Sequence, residues 1–123
     1  MIRTVVVDDH DSVRSILVAL LTEYGLEVVA SCANGSEAVS VCRDLQPDAV
    51  VMDVRMPVLD GISATREIKA QQPETRVVLL TAYEEDDLQA AALASGADEF
   101  VVKGISGHEL ADLLRSPGSC EAA

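Results

Sequence analysis

Apolar residues fall along this chain in two alternating patterns. Five short, nearly continuous valine-rich runs stand at Thr4–Val7, Glu27–Ser31, Ala49–Met52, Val77–Leu80 and Phe100–Val102. Runs of this length suit parallel strands that are covered on both faces. Between them, apolar residues recur every three or four positions, which predicts helices with one buried stripe. Val13, Ile16, Leu17, Leu20 and Leu21 make the first helix, with Asp11 or Ser12 as its N-cap and Gly25 as its stop. Ala38, Val41, Cys42 and Leu45 make the second, before Pro47, and Ile62, Thr65, Ile68 and Lys69 the third, ending near Pro73. Leu88, Ala91, Ala92 and Leu93 make the fourth, closed by Gly96. Ile105, Leu110, Leu113 and Leu114 make a fifth, of about two to three turns.

The order is βα five times over. Such alternation predicts right-handed crossovers and an α/β three-layer sandwich, a doubly wound (βα)5 fold around a parallel five-stranded sheet. The expected strand order is the flavodoxin-like 2-1-3-4-5. The 123 residues suffice for one core and not for two. One domain over residues 1–115 is expected, and the small, polar stretch 116–123 reads as a disordered tail.

Charge narrows the function. The formal net charge is −12, so the surface repels phosphate backbones and favours basic partners or bound cations. Direct nucleic-acid binding is not expected, and two Tyr, one Phe and no Trp leave no aromatic platform for stacking bases. Charged residues or glycine break every apolar run short of a membrane span, and the start MIRTVVVDD lacks the parts of a signal peptide. The odd set Cys32, Cys42 and Cys120 matches no metal-ligand spacing; the first two read as small core hydrophobes and the third as free. A reducing cytoplasm is the expected location.

Ligands of open α/β sheets sit beyond the carboxyl ends of the strands at the switch point. Strand 1 delivers Asp8 and Asp9 to that edge, strand 3 Asp53, strand 4 Thr81 and strand 5 Lys103, one of only two lysines. Strand 2 delivers nothing ionisable. Taken singly, each has a bland reading: a strand-end Asp caps the next helix, a Thr closes a turn, a Lys reaches for solvent. Taken together at one edge, three carboxylates would repel one another unless a cation offset them. Mg2+, with its preference for a few carboxylates, water and phosphoryl oxygens, suits the set. Asp53, central and flanked by positive charge, is then placed to attack phosphorus and form an acyl phosphate, with Lys103 and Thr81 meeting the phosphoryl oxygens. His10 and His108 read as solvated, the run Glu84–Asp87 as an exposed helix start, and Pro57 and Gly61 as shaping the turn after Asp53.

The motifs VVVDD (Val5–Asp9), VVMDVRMPVLDG (Val50–Gly61), VVLLTAY (Val77–Tyr83) and ASGADEFVVKG (Ala94–Gly104), in this order and spacing, resemble those of response-regulator receiver domains of bacterial two-component signalling. The resemblance runs from about Ile2 to Leu114. The Asp9–His10 step, the ATREIKA and TRVVLLTAY segments and Lys103–Gly104 resemble the NarL/FixJ (LuxR-type) subgroup. The resemblance implies that Asp53 accepts phosphate from a sensor histidine kinase, and that Asp8, Asp9, Asp53 and the main-chain carbonyl of Arg55 bind Mg2+. It implies that Thr81 and Phe100 form the switch, that Lys103 pairs with the phosphoryl group, and that Arg55 and Tyr83 tune its lifetime. It also implies regulation of transcription, and no enzyme activity beyond the chain's own aspartyl phosphorylation and dephosphorylation. Two departures stand out: Gly104 replaces the frequent proline after the lysine, and Phe100 a frequent tyrosine.

Other classes fit the residues less well. A haloacid-dehalogenase-like small phosphatase also uses an Asp nucleophile, Thr, Lys and Mg2+, but the expected second acid after the nucleophile is Arg55 here. A flavodoxin-like FMN binder would meet a repelling acidic edge, and a phosphorylation-independent binding module would not need the full acid, Thr and Lys set. A stand-alone receiver and a fragment of a regulator with a C-terminal helix-turn-helix output domain both remain open. So does a homodimer on phosphorylation, through helices 1 and 5 or helices 4 and 5.

Overall fold

The structure is a computed structural model, and it describes residues 2–82 and 86–115. Among these, strands and helices alternate: β1 (Arg3–Val7), α1 (Asp11–Glu23), β2 (Glu27–Cys32), α2 (Gly35–Leu45), β3 (Ala49–Asp53), α3 (Gly61–Gln71), β4 (Arg76–Thr81), α4 (Asp86–Ala94), β5 (Glu99–Val102) and α5 (Gly107–Arg115). The strands are parallel in the order β2-β1-β3-β4-β5, as the pattern predicts. Strands outrun their apolar cores by a residue or so because ladder pairing continues past the last apolar side chain. Asp53 still pairs with Leu80, and Thr81 with Val102.

The valine-rich runs are nearly continuous because both faces are buried, and the parity of each position decides its side. Val5, Val7, Val50, Met52, Val77 and Leu79 join Ala38, Cys42, Ala64, Ile68 and Ala92 in a core beneath α2, α3 and α4. Val6, Val51, Val78 and Leu80 face the other way and pack with Leu21, Leu110, Ala111 and Leu114 of α1 and α5. Both cores border the switch point between β1 and β3, so the site rests on rigid strands.

Several local features differ from the sequence pattern. The N-cap of α1 is His10, not Asp11 or Ser12, and its side chain makes no capping bond. Asp8 Oδ1 accepts the His10 backbone N–H at 2.8 Å instead, while Asp11 binds Arg14 within the first turn at 2.5 Å. Helix stripes are narrower than their sequence pattern: Ile16 is 63% exposed, and Leu45 and Leu93 are also exposed. In α2 it is Val39, beside Ala38 and Cys42, that is buried. Ile105 precedes α5 and reaches the core from the loop. Side-chain caps form on other helices: Asn34 accepts Glu37 N–H at 2.9 Å, Asp60 accepts Ser63 N–H at 2.8 Å, and Ser106 Oγ accepts Glu109 N–H at 3.1 Å.

Cys32 and Cys42 are free and buried, as their contexts predicted; burial pushes their thiols up to about 11 and about 12. No helix among the described residues is long and apolar enough to cross a membrane. The expectations for Tyr83, Glu84, Glu85, Cys120 and the tail 116–123 lie outside the described residues.

Candidate functional site

Each strand that reaches the switch edge ends in a residue of distinct chemistry. Asp8 follows β1 and is buried, Asp53 closes β3, Thr81 closes β4, and Lys103 follows β5. Lys103 lies just past its strand rather than in it, yet its backbone N–H donates to Thr81 O at 2.6 Å, so β4 positions it. From there Nζ reaches Asp8 Oδ2 at 3.2 Å and Asp53 Oδ1 at 3.4 Å. One ammonium thus bridges two buried carboxylates contributed by neighbouring strands.

The electrostatics follow from this crowding. Burial raises the Asp53 pKa from its usual value of 3.8; Lys103 pulls it down, and the Asp8 and Asp9 charges push it up again, leaving it raised. Burial also opposes the Lys103 charge, but Asp53 and Asp8 outweigh it and hold the ammonium pKa above 10.5. The site has more negative charge than one lysine offsets.

Asp8, Asp9, His10 and Asp53 each offer a donor atom, all within 4.8 Å of one another. Asp9 Oδ1 is buried and accepts no hydrogen bond. His10 Nδ1 stands 3.2 Å from it and 3.3 Å from Asp8 Oδ1. A buried carboxylate oxygen without a donor is costly. It fits a divalent cation, and the oxygen-rich donor set suits a hard ion such as Mg2+.

The loop after Asp53 is shaped by close backbone approach. A Cβ on Gly61 would come within 2.2 Å of Asp53 O, and Gly61 N–H donates to Val54 O at 2.8 Å. Gly61 therefore has the structural role the sequence suggested, and the reason is contact with the backbone of Asp53. Gly35, the first residue of α2, donates to Leu59 O at 3.1 Å, and a Cβ there would meet that oxygen at 2.2 Å. Between them Leu59 N–H donates to Pro57 O at 2.8 Å, closing a γ-turn around Val58, which has φ +71° and is 82% exposed. A β-branched residue at positive φ is strained. Gly104, with φ +108° and open space around it, uses the freedom glycine gives the β5–α5 loop.

Most of the predicted set converges. Asp8, Asp9, Asp53 and Lys103 share one pocket, and Thr81 is buried at the end of the strand that adjoins both Asp53 and Lys103. Arg55 is exposed on the loop past Asp53, and Phe100 is half-buried against the core under α4. Two participants lie outside the expected set, His10 because it reads as solvated and Arg14 because nothing in the pattern marks it. His10, though exposed, turns its ring nitrogen to the acid pair. Arg14 donates through Nη1 to Asp8 O at 2.8 Å and fixes the backbone of that pair. Their spacing from the acids, one to six residues, is the signal that could have found them.

The fold and site together are an α/β domain with a parallel five-stranded sheet and an acid nest and a lysine at its switch point. Similarity to known proteins gives the family. Residues 4–115 match the response regulator receiver domain. The chain is 40% identical over 116 residues to the response regulator GacA of Pseudomonas viridiflava, covering 94% of this chain and 54% of GacA. It is 40% identical over 115 residues to the response regulator VraR of Staphylococcus epidermidis, covering 93% and 55%. Among solved structures it resembles a LuxR-family two-component response regulator from Aurantimonas sp. SI85-9A1, with TM-score 0.84 and 34% identity over 89% of this chain and 79% of that one. It also resembles a CheX–CheY–BeF3–Mg2+ complex from Borrelia burgdorferi, with TM-score 0.85 and 26% identity over 92% and 86%. The chain belongs to the response-regulator receiver family, with LuxR-type members among its relatives. It spans about half the length of the curated relatives it matches. The haloacid-dehalogenase alternative finds no support in the family match.

Proposed function

We propose that this domain takes a phosphoryl group from a sensor histidine kinase onto Asp53 and passes the change to an output surface. The observation that carries the reading is the pairing of Asp53 Oδ1 with Lys103 Nζ at 3.4 Å, inside a cluster that also gathers Asp8 and Asp9. In the proposed reaction an Asp53 carboxylate oxygen forms a bond to phosphorus as the bond from phosphorus to the donor imidazole nitrogen breaks. The imidazole leaves neutral, keeping the proton on its other nitrogen. Lys103 stays within reach of Asp53 and meets the negative charge that arrives with the phosphoryl group. Asp8, Asp9, Asp53 and the Arg55 carbonyl would hold Mg2+, which when bound supplies further positive charge against the phosphoryl oxygens. Hydrolysis of the acyl phosphate by water restores Asp53, so the only chemistry is the domain's own phosphorylation and dephosphorylation.

The readout follows from neighbours. Thr81 ends the strand between β3 and β5, and Phe100 lies on β5, paired with Leu79 of β4. A shift of Thr81 toward the phosphoryl group would repopulate the positions of Phe100, through contacts that differ between the two states. Transcription control through an output domain, as in LuxR-type regulators, is the function this switch would serve.

Phosphorylation by acetyl phosphate with Mg2+, followed by intact-mass measurement, tests the reading. Wild type should gain one phosphoryl group and Asp53→Asn none. Equal labelling of the two proteins would remove Asp53 as the acceptor.

A further inference from the structure

We propose that His10 is a nitrogen ligand of the acid pocket, and that it gives this receiver a preference for borderline transition cations such as Co2+, Ni2+ and Zn2+ over Mg2+. The inference rests on the metal site of the proposed function and adds to it a residue and a class of ion. His10 follows the acid pair directly, at the N-cap of α1, where the helix leaves its side chain without a capping role. Its ring is 66% exposed, yet Nδ1 does not point to solvent: it lies 3.3 Å from Asp8 Oδ1 and 3.2 Å from Asp9 Oδ1.

Those spacings carry the argument. Donors bound at about 2.1 Å around one ion lie about 3.0 Å apart at an octahedral edge and about 3.4 Å apart in a tetrahedron. The Nδ1 distances fall in that interval, and the donor atoms of all four residues lie within 4.8 Å. Nδ1 stands within 3.3 Å of one oxygen of each carboxylate of the acid pair. Presenting its lone pair, it becomes a further donor beside the same oxygens. Asp9 Oδ1, buried and without a hydrogen bond, remains as the anionic donor on the adjacent position.

Ligand softness then sets selectivity. Carboxylate, carbonyl and water suit Mg2+, which has little use for imidazole, whereas imidazole suits Ni2+ and Zn2+ and raises affinity along the first-row series. A pocket with three carboxylates alone would discriminate weakly on this ground. Addition of one imidazole tilts it toward the later ions without removing any oxygen donor that Mg2+ needs.

Calorimetric titration of the intact chain with Co2+ and with Mg2+ tests the assignment, using wild type, His10→Ala, Asp9→Asn and His108→Ala. His108 serves as the control because it pairs with Asp112 at 3.4 Å and is a separate exposed imidazole beside a carboxylate. His10→Ala should weaken Co2+ by about tenfold or more, at least what the loss of a residue that merely supports a ligand costs, and change Mg2+ less than about twofold. The Co2+ complex of wild type and of His108→Ala should show hyperfine-shifted imidazole proton resonances, and that of His10→Ala none. Parallel weakening of both ions, an unchanged Co2+ affinity, or imidazole resonances that persist in His10→Ala would overturn the role of His10. With Mg2+ still bound and Asp53 still phosphorylated, that result leaves the proposed function standing. Wild type that binds neither ion, or binds both undiminished in Asp9→Asn, would overturn the metal pocket and this inference together.

Discussion

Lys103 Nζ stands 3.4 Å from Asp53 Oδ1, although the lysine follows β5 and the aspartate closes β3, with β4 between them. The pair forms because β4 fixes the lysine: the Lys103 N–H on Thr81 O sets where its side chain begins. An ion pair this sheltered does not remove the cost of the acid cluster, and the raised pKa of Asp53 records what is left over.

That excess predicts a pH dependence for the protein freed of metal by chelator. A carboxylate whose folded pKa is raised binds its proton more tightly in the folded state. Its stabilising contribution is complete below the ordinary value of 3.8 and is lost as pH rises through the folded value. Above the folded value the charged Asp53 is therefore a burden, and there Asp53→Asn should melt at a higher temperature than wild type. The gap should shrink as pH falls toward 3.8. Thermal melts of both proteins across that range check the sign; a gap that widens on acidification contradicts it.

Divalent cations should relieve the same burden. With free Mg2+ at one hundred times its Kd, a ligand that binds only the folded state stabilises by about 2.7 kcal/mol. Asp9→Asn, which replaces the carboxylate that carries the orphaned buried oxygen, should abolish most of that gain. Chemical unfolding with and without Mg2+ measures both values.

Gly61→Ala should cost about 1–3 kcal/mol, because the added methyl meets Asp53 O at 2.2 Å and the backbone must yield. The displaced strand end carries Asp53, the proposed phosphoacceptor. Slower labelling by acetyl phosphate should accompany the loss of stability, and an unchanged labelling rate would show that the movement is absorbed in α3.

Val58→Gly should act in the opposite sense. Positive φ at a β-branched residue costs about 1–3 kcal/mol, and glycine gives back about 0.5–1 kcal/mol in chain entropy. A net gain of about 1 kcal/mol in denaturant unfolding is expected. Core packing should be untouched, since the valine side chain is largely in solvent.

The sheet was legible because its strands are buried on both faces, which makes them read as unbroken valine runs that few other elements imitate. The acids, Thr81 and Lys103 could be placed because each follows directly from a strand end. Ile16 and Leu45 misled, since helical spacing says that a residue shares a face and not how far that face extends over its neighbour. His10 read as solvated for a different reason. An exposed loop histidine carries no pattern, and its ring is turned to Asp8 and Asp9 by the path of the chain into α1. The γ-turn at Val58 was invisible because valine is the residue least expected there.

The contact between Gly35 and Leu59 has a mechanical result. It fastens the start of α2 to the segment that leaves Asp53, and with no side chain between the two backbones there is no compliant layer to absorb a push. A disturbance that begins at Asp53, the proposed acceptor, would meet this close backbone contact on the α2 side. Toward β5 stand a half-buried Phe100 and a Gly104 with open space around it, so under the proposed function any yielding is expected on that side.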